Sequence, residues 1–240
     1  MNLGNIKAQS AVGYLKKGCY QNNKKGEWFG KGAEVLGLKG EIQDFQAYEN
    51  IVNGLTPDGS QPLSQRFVDE DKRKAVLVCT FAAPKNVSLC ALVSGDERLL
   101  EAHNQAVQKV LAVMERDYSQ TQIGIGNTRK VVKTRNLVIA KFNQIETRDL
   151  DSHLHSHCLV MNATQAPDGE WYSHLNHAIF TNQKLLGMMY QHDLTLEVER
   201  LGYEIEWRSH GQLEIREGKD SSGESLKLPG GTSHDDSKER

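Results

Sequence analysis

The sequence predicts an α+β domain. Apolar strand-like runs are interspersed with amphipathic helical stretches along the chain. They lack the regular βαβ spacing, and the chain lacks the Gly-rich phosphate loop, of a parallel doubly wound sheet. A length of 240 residues suits one sizeable domain or two small ones.

Residues 8–20 read as a short helix carrying Tyr14 and Tyr20. The Gly-rich stretch 26–34 should turn and restart a helix. Its Gly30-Lys31-Gly32 is no dinucleotide fingerprint, because no strand precedes it and no third glycine is spaced correctly. Thr56-Pro57-Asp58-Gly59 marks a turn. Residues 75–82 predict a buried strand, since β-branched and apolar residues run without interruption. Pro84 ends it, and 86–93 look helical. The clearest helix is 96–116, where Leu99, His103, Ala106, Val107, Val110 and Met114 form one apolar stripe and Asp96 and Glu97 suit the N-terminal dipole. His103 on that stripe reads as a packed residue. After a turn at 124–127, strand patterns follow at 129–142 and 155–162. Residues 183–202 form another amphipathic helix with Gly202 as its C-cap, and short strands around 203–207 and 212–216 close the domain. From 217 onward Gly, Ser, Asp and Lys dominate, so the expected division is a domain over 1–216 and a disordered polar tail over 217–240.

Composition excludes several classes. Hydrophobic residues are 38% and charged residues 25%, as in soluble globular chains. No apolar run approaches the roughly 18–20 residues of a membrane span, and residues 1–9 lack the apolar core of a secretory signal. Four scattered cysteines without a CxxC pair predict reduced thiols and a cytoplasmic location. A net charge of −2 is not that of a strongly basic nucleic-acid binder. Any DNA affinity must come from local patches: Arg66 with Lys72, Arg73 and Lys74, or Arg129, Lys130, Lys133 and Arg135. The competing reading of both is a solvated charged face.

The densest chemical signal is Asp151-Ser152-His153-Leu154-His155-Ser156-His157-Cys158. Residues two apart on a strand share a face, so His155 and His157 would present two imidazoles side by side, a chelating pair for a divalent metal. His153 has the same parity, but at about 3.3 Å per residue it sits too far from His157 to share one ion comfortably. A third ligand from elsewhere is expected. The bland alternative is three surface histidines on a loop edge.

Several longer segments point one way. Glu27 to Leu38, Thr80 to Leu89, Asp96 through His103 and Ala106, Asn136 to Phe142, His153 to Asn162, and Asp168 to Trp171 fall in the order of the motifs of MobF-type (TrwC/TraI-like) conjugative relaxases, of the HUH endonuclease superfamily. The chain resembles that family over about residues 8–216. The resemblance implies a palm-like central antiparallel sheet related to the ferredoxin fold, with flanking helices. It also implies a histidine-bound divalent metal, magnesium or manganese with zinc as the other option, and a tyrosine that nicks single-stranded DNA at a plasmid transfer origin to give a 5′-phosphotyrosine. Tyr14 matches the first nucleophile and Tyr20 the second, with Leu15 and Gln21 where paired tyrosines could stand. His155 and His157 match the metal pair, and Gln144 falls where the family has its first metal histidine; Glu146 lies two residues on. Lys85 joins Arg129, Lys130, Lys133 and Arg135 as a candidate DNA contact.

Three departures carry weight: Gln144, Val78 in place of an acidic residue two positions before Thr80-Phe81, and Ser152 in place of a proline before the histidines. They open the alternative of an impaired relaxase relict acting as an origin DNA-binding module. Family members usually continue into a helicase. The resemblance therefore implies a fragment, a single-domain form or a relict, with relaxosome proteins and a helicase or coupling protein as partners.

Overall fold

The computed structural model describes residues 1–14, 26–64, 74–125, 128–146, 152–207 and 213–217. In chain order these form β1 (Asn2–Ile6), α1 (Ala8–Tyr14), β2 (Glu27–Phe29), α2 (Lys31–Val35), α3 (Phe45–Val52), β3 (Val76–Ala82), α4 (Lys85–Leu92) and α5 (Arg98–Val113). A π-helical turn, Met114–Tyr118, leads into β4 (Gln120–Ile125), β5 (Thr128–Lys133), β6 (Ile139–Glu146), β7 (Ser152–Met161), β8 (Thr164–Gln165) and β9 (Trp171–Tyr172). The chain then runs through α6 (His177–Thr181), α7 (Gln183–Arg200), β10 (Glu204–Trp207) and β11 (Leu213–Glu217). Tyr20, Cys19, Arg66, Lys72 and Arg73 lie outside the described residues; of the tail expected over 217–240, Glu217 is the last residue of β11 and the rest lies outside them.

A strand that is apolar on both sides must be covered on both sides. β3 meets that demand near the middle of a five-stranded antiparallel sheet of order β1-β3-β7-β6-β2, with β7 as the central strand. One face, built from Leu77, Cys79, Phe81, Leu154, Cys158 and Val160, packs against α4, α5 and α7 through residues such as Val87, Val107, Leu186 and Leu194. The other face, with Val76, Ala140, Phe142, Leu159 and Met161, is covered by Ala11 of α1 and by Tyr48, Ile51 and Val52 of α3. Each fully buried side chain of this size stabilises by about 1.5–3 kcal/mol relative to exposure. The α+β class and the central antiparallel sheet with flanking helices are both present. Among the described residues no helix is long and apolar enough to cross a membrane.

Two local expectations are corrected. The strand pattern over 129–142 is not one strand: β5 pairs with β4 in a separate two-stranded ribbon, and β6 joins the central sheet. The break has a physical cause. Arg135 adopts φ 56, a left-handed conformation uncommon outside glycine. Asn136 then bonds through its side chain to both backbone groups of Gln165, at 2.6 and 2.9 Å, in place of a ladder. The second correction is at Glu27–Phe29, expected as a turn. It forms the edge strand β2 against β6.

The glycines of Gly30-Lys31-Gly32 serve packing. A Cβ at either would run into the backbone of Leu137, and Gly30 sits at φ 100. The close approach lets the buried Glu115 carboxylate accept backbone N–H bonds from Lys31 at 2.7 Å and Leu137 at 2.8 Å. Burial pushes the Glu115 carboxyl up from its ordinary range, and the two backbone donors oppose that shift. Glu115→Ala strands both donors, so unfolding in urea should show a loss of about 2–4 kcal/mol. An unchanged midpoint would show that water replaces the carboxylate without cost.

Candidate active site

The site is set by strand parity. Val160 and Cys158 face the helices α5 and α7, so Leu159, His157, His155 and His153 face the opposite side. The rings of His155 and His157 lie 4.9 Å apart and nearly perpendicular, at 83°, and His153 follows 5.6 Å from His155. On the neighbouring strand, Gln144 is the register partner of His155. Its Oε1 sits 3.1 Å from His155 Nε2. The sequence expectation that His155 and His157 share a face of a central strand with Gln144 beside them is met in the geometry.

The protonation pattern follows from the partners. His155 Nδ1 donates to its neighbour's carbonyl, His153 O, at 2.8 Å. In a neutral imidazole this leaves Nε2 with a bare lone pair, aimed at the Gln144 oxygen. Burial lowers the pKa of His155 below the ordinary value, and lowers that of His157 to about 4, with the charge of His155 as a second cause. Both rings are therefore neutral near pH 7, the form a metal ligand needs. His155 Nε2 and the Gln144 amide oxygen, 3.1 Å apart, are close enough to bind one cation together. The donor set thus fits a divalent ion, with two imidazole nitrogens and one amide oxygen. Among the described residues no group of three or more His, Cys, Asp or Glu is placed to hold an ion.

His157 also has a partner that sequence reading missed. Thr80 on β3 is its register partner, and Thr80 Oγ1 lies 3.1 Å from His157 Nδ1. No motif announces this contact. It depends on a β3–β7 register that joins residues far apart in the chain. Val78 shares that face and lies half-buried among the apolar residues under α1.

The other candidates are distributed around this centre. α1, with Tyr14 as its last residue, lies on the histidine face. Its Ala11 is buried among Phe142, Leu159 and Met161, and Tyr48 Oη donates to Ala11 O at 3.3 Å. Lys85 is exposed at the first position of α4, three residues past Ala82, which pairs with His155. Arg129, Lys130 and Lys133 are exposed on the β4–β5 ribbon, not on the histidine sheet, and exposed Arg135 follows in the connecting segment. The ribbon is anchored at its base by Thr121 Oγ1 donating to Ser173 O at 2.8 Å and Leu175 N to Gln120 O at 2.7 Å. His103 is a packed helix residue, as its stripe predicts, with 1% exposure.

Residues 6–225 match the family model of the TrwC relaxase. The multifunctional conjugation protein TraI of Escherichia coli is 37% identical over 221 residues, covering 87% of this chain, and TraI of strain K12 is 34% identical over 229 residues, covering 90%. The chain spans 12 and 13% of the length of these two relatives. Among solved structures, the conjugative relaxase TrwC in complex with oriT DNA, metal-bound, superposes with a TM-score of 0.81 at 32% identity, over 90% of this chain and 75% of that one. TrwC complexed with a 27-mer DNA comprising the recognition hairpin and the cleavage site gives 0.79 at 30% identity, over 90% and 74%. The family-model match over residues 6–225 and the shared fold show that the chain belongs to the TrwC relaxase family.

Proposed function

We propose that this chain is a conjugative relaxase domain that nicks single-stranded DNA at a plasmid origin of transfer through Tyr14. The observation that carries the reading is the placement of His155, His157 and Gln144 on the sheet face that also receives α1, the helix ending in Tyr14. The phenol oxygen of Tyr14 attacks the scissile phosphorus. A P–O bond to tyrosine forms and the P–O3′ bond breaks; solvent takes the phenolic proton and returns one to the departing O3′, which leaves as a hydroxyl. The 5′ end stays on the protein as a phosphotyrosine, so the bond energy is kept for rejoining. His155, His157 and Gln144 would hold a divalent ion, which would supply charge neutralisation at the phosphate. This chain's own residues orient the imidazoles and keep them neutral. The amide oxygen of Gln144, 3.1 Å from His155 Nε2, would be the third ligand.

The β4–β5 ribbon is the surface for the DNA duplex arm. A two-stranded ribbon fits a major groove, and Arg129, Lys130 and Lys133 supply charges for phosphates on an otherwise weakly acidic protein. Lys130→Ala with Lys133→Ala should weaken binding to a hairpin oligonucleotide. The plot of log affinity against log salt should become shallower by about 0.9 for each duplex phosphate that the variant no longer neutralises. An unchanged slope would reduce the segment to a solvated face. This reading places the work in the cytoplasm, with relaxosome proteins and a helicase or coupling protein as partners, on the same chain or in trans. The deciding assay is denaturing electrophoresis of labelled single-stranded origin DNA with protein and manganese. A covalent adduct is the expected result, and its absence under any divalent metal would leave only DNA binding.

A further inference from the structure

Behind the histidine strand, on the helix-packed face of the sheet, lies a chain of polar side chains that is buried except at its Asn143 end. Tyr190 of α7 and Ser156 of β7 are 0% exposed and His103 of α5 is 1% exposed. Tyr190 Oη lies 2.8 Å from His103 Nδ1, His103 Nε2 lies 2.7 Å from Ser156 Oγ, and Ser156 Oγ donates to Asn143 Oδ1 at 2.6 Å. Buried polar groups cost free energy unless every donor and acceptor is matched, and here the matching has one solution. The single hydroxyl hydrogen of Ser156 goes to Asn143. His103 Nε2 must therefore carry the hydrogen that Ser156 Oγ accepts, which leaves Nδ1 bare to accept from Tyr190. Burial lowers His103 to about 3, so the ring is neutral and has one N–H to give. The T-shaped contact of His103 with Tyr190, centroids 5.6 Å apart at 84°, fixes the ring plane as well.

The location of this chain gives it a task. Ser156 stands between His155 and His157 in β7 and points the opposite way, and Asn143 precedes Gln144 in β6. Asn143 and Ser156 are register partners, and so are Gln144 and His155. Immediately beyond Gln144 the β6–β7 register shifts through a bulge. A slip of one residue in a sheet turns every side chain to the other face. The Ser156–Asn143 bond therefore secures the last regular pairs before the irregularity, directly behind the residues whose facing matters.

We infer that Ser156, His103, Tyr190 and Asn143 are positioning residues for the metal site, locking from behind the strand register that aims His155, His157 and Gln144 at one point. The inference rests on the metal-site reading proposed above. The test is titration of manganese, followed by the electron paramagnetic resonance of the free ion, into DNA-free wild-type protein, Ser156→Ala and Tyr190→Phe, with thermal unfolding measured in parallel. Wild type binds the ion. Ser156→Ala, folded below its melting point, binds it about tenfold more weakly, in the range for supporting partners of metal ligands. Tyr190→Phe, at the far end of the chain, shows a smaller loss in the same direction, and it decides the matter if Ser156→Ala does not fold. Lowered melting temperatures with unchanged manganese affinity would make the network purely structural and overturn the inference alone. No binding by the wild type would overturn the metal-site reading and the inference with it.

Discussion

Tyr14→Phe is expected to abolish the covalent adduct with single-stranded origin DNA, and Tyr20→Phe to retain it. Removing a nucleophile costs several orders of magnitude in turnover, because the remaining apparatus can orient the phosphate but has nothing to attack it with. The choice between the tyrosines follows from where α1 is held. β1 pairs with β3 up to Ile6 opposite Val76, and α1 starts two residues later. Ala11 is then buried on the histidine face of the sheet. Tyr14 ends the same helix, three positions beyond Ala11. Six residues separate Tyr14 from Tyr20, which in a continued helix rotates the second tyrosine about 120° away. One rigid helix cannot aim both alike. Labelled oligonucleotide, manganese and denaturing electrophoresis read the outcome directly. An adduct surviving Tyr14→Phe and lost in Tyr20→Phe would reverse the assignment.

The second large effect concerns the ion. His155→Ala and His157→Ala should each weaken manganese binding by at least about tenfold, since losing a ligand costs no less than losing its supporting partner. Adduct formation should fall with it. Gln144→His should act in the opposite direction for zinc, which prefers imidazole to an amide oxygen. The Gln144 oxygen already stands 3.1 Å from His155 Nε2, so an imidazole on the same residue adds a third nitrogen to the set. Isothermal calorimetry with zinc on the four proteins should give the order Gln144→His tightest, wild type next, the two alanine variants last. If Gln144→His bound no better than wild type, the amide would lie outside the coordination sphere and the site would rest on two histidines alone.

Much of this was legible in the residues. Alternation placed His155 and His157 together because strand periodicity is a local property, and the uninterrupted run at 76–82 announced a covered strand. Gln144 was found only through family resemblance, since nothing local marks a glutamine as a neighbour of His155 across two strands. Thr80 went unnoticed for the same reason: its contact with His157 depends on register. The 129–142 stretch misled because its apolar and basic residues suit a strand throughout, while the break is made by the left-handed Arg135 and by Asn136 bonding to Gln165. Those partners lie some way down the chain. Ser156, a small residue between two histidines, carries no sign of the buried bonds that hold it.

The strand order has a consequence for how the molecule is made. Among the described residues, of the neighbouring pairs in the main sheet only β6 and β7 follow one another in the chain. Asn2 waits for Thr80, Thr80 for His157, and Glu27 for Lys141. Loop-closure entropy must be met at each of these pairings before burial compensates, which makes for slow folding of high contact order. During synthesis β3 emerges with one long edge unpaired and apolar until β7 leaves the ribosome. That interval exposes the surface through which nascent chains aggregate. A truncation upstream of Met161 therefore yields an insoluble chain and not a smaller working domain.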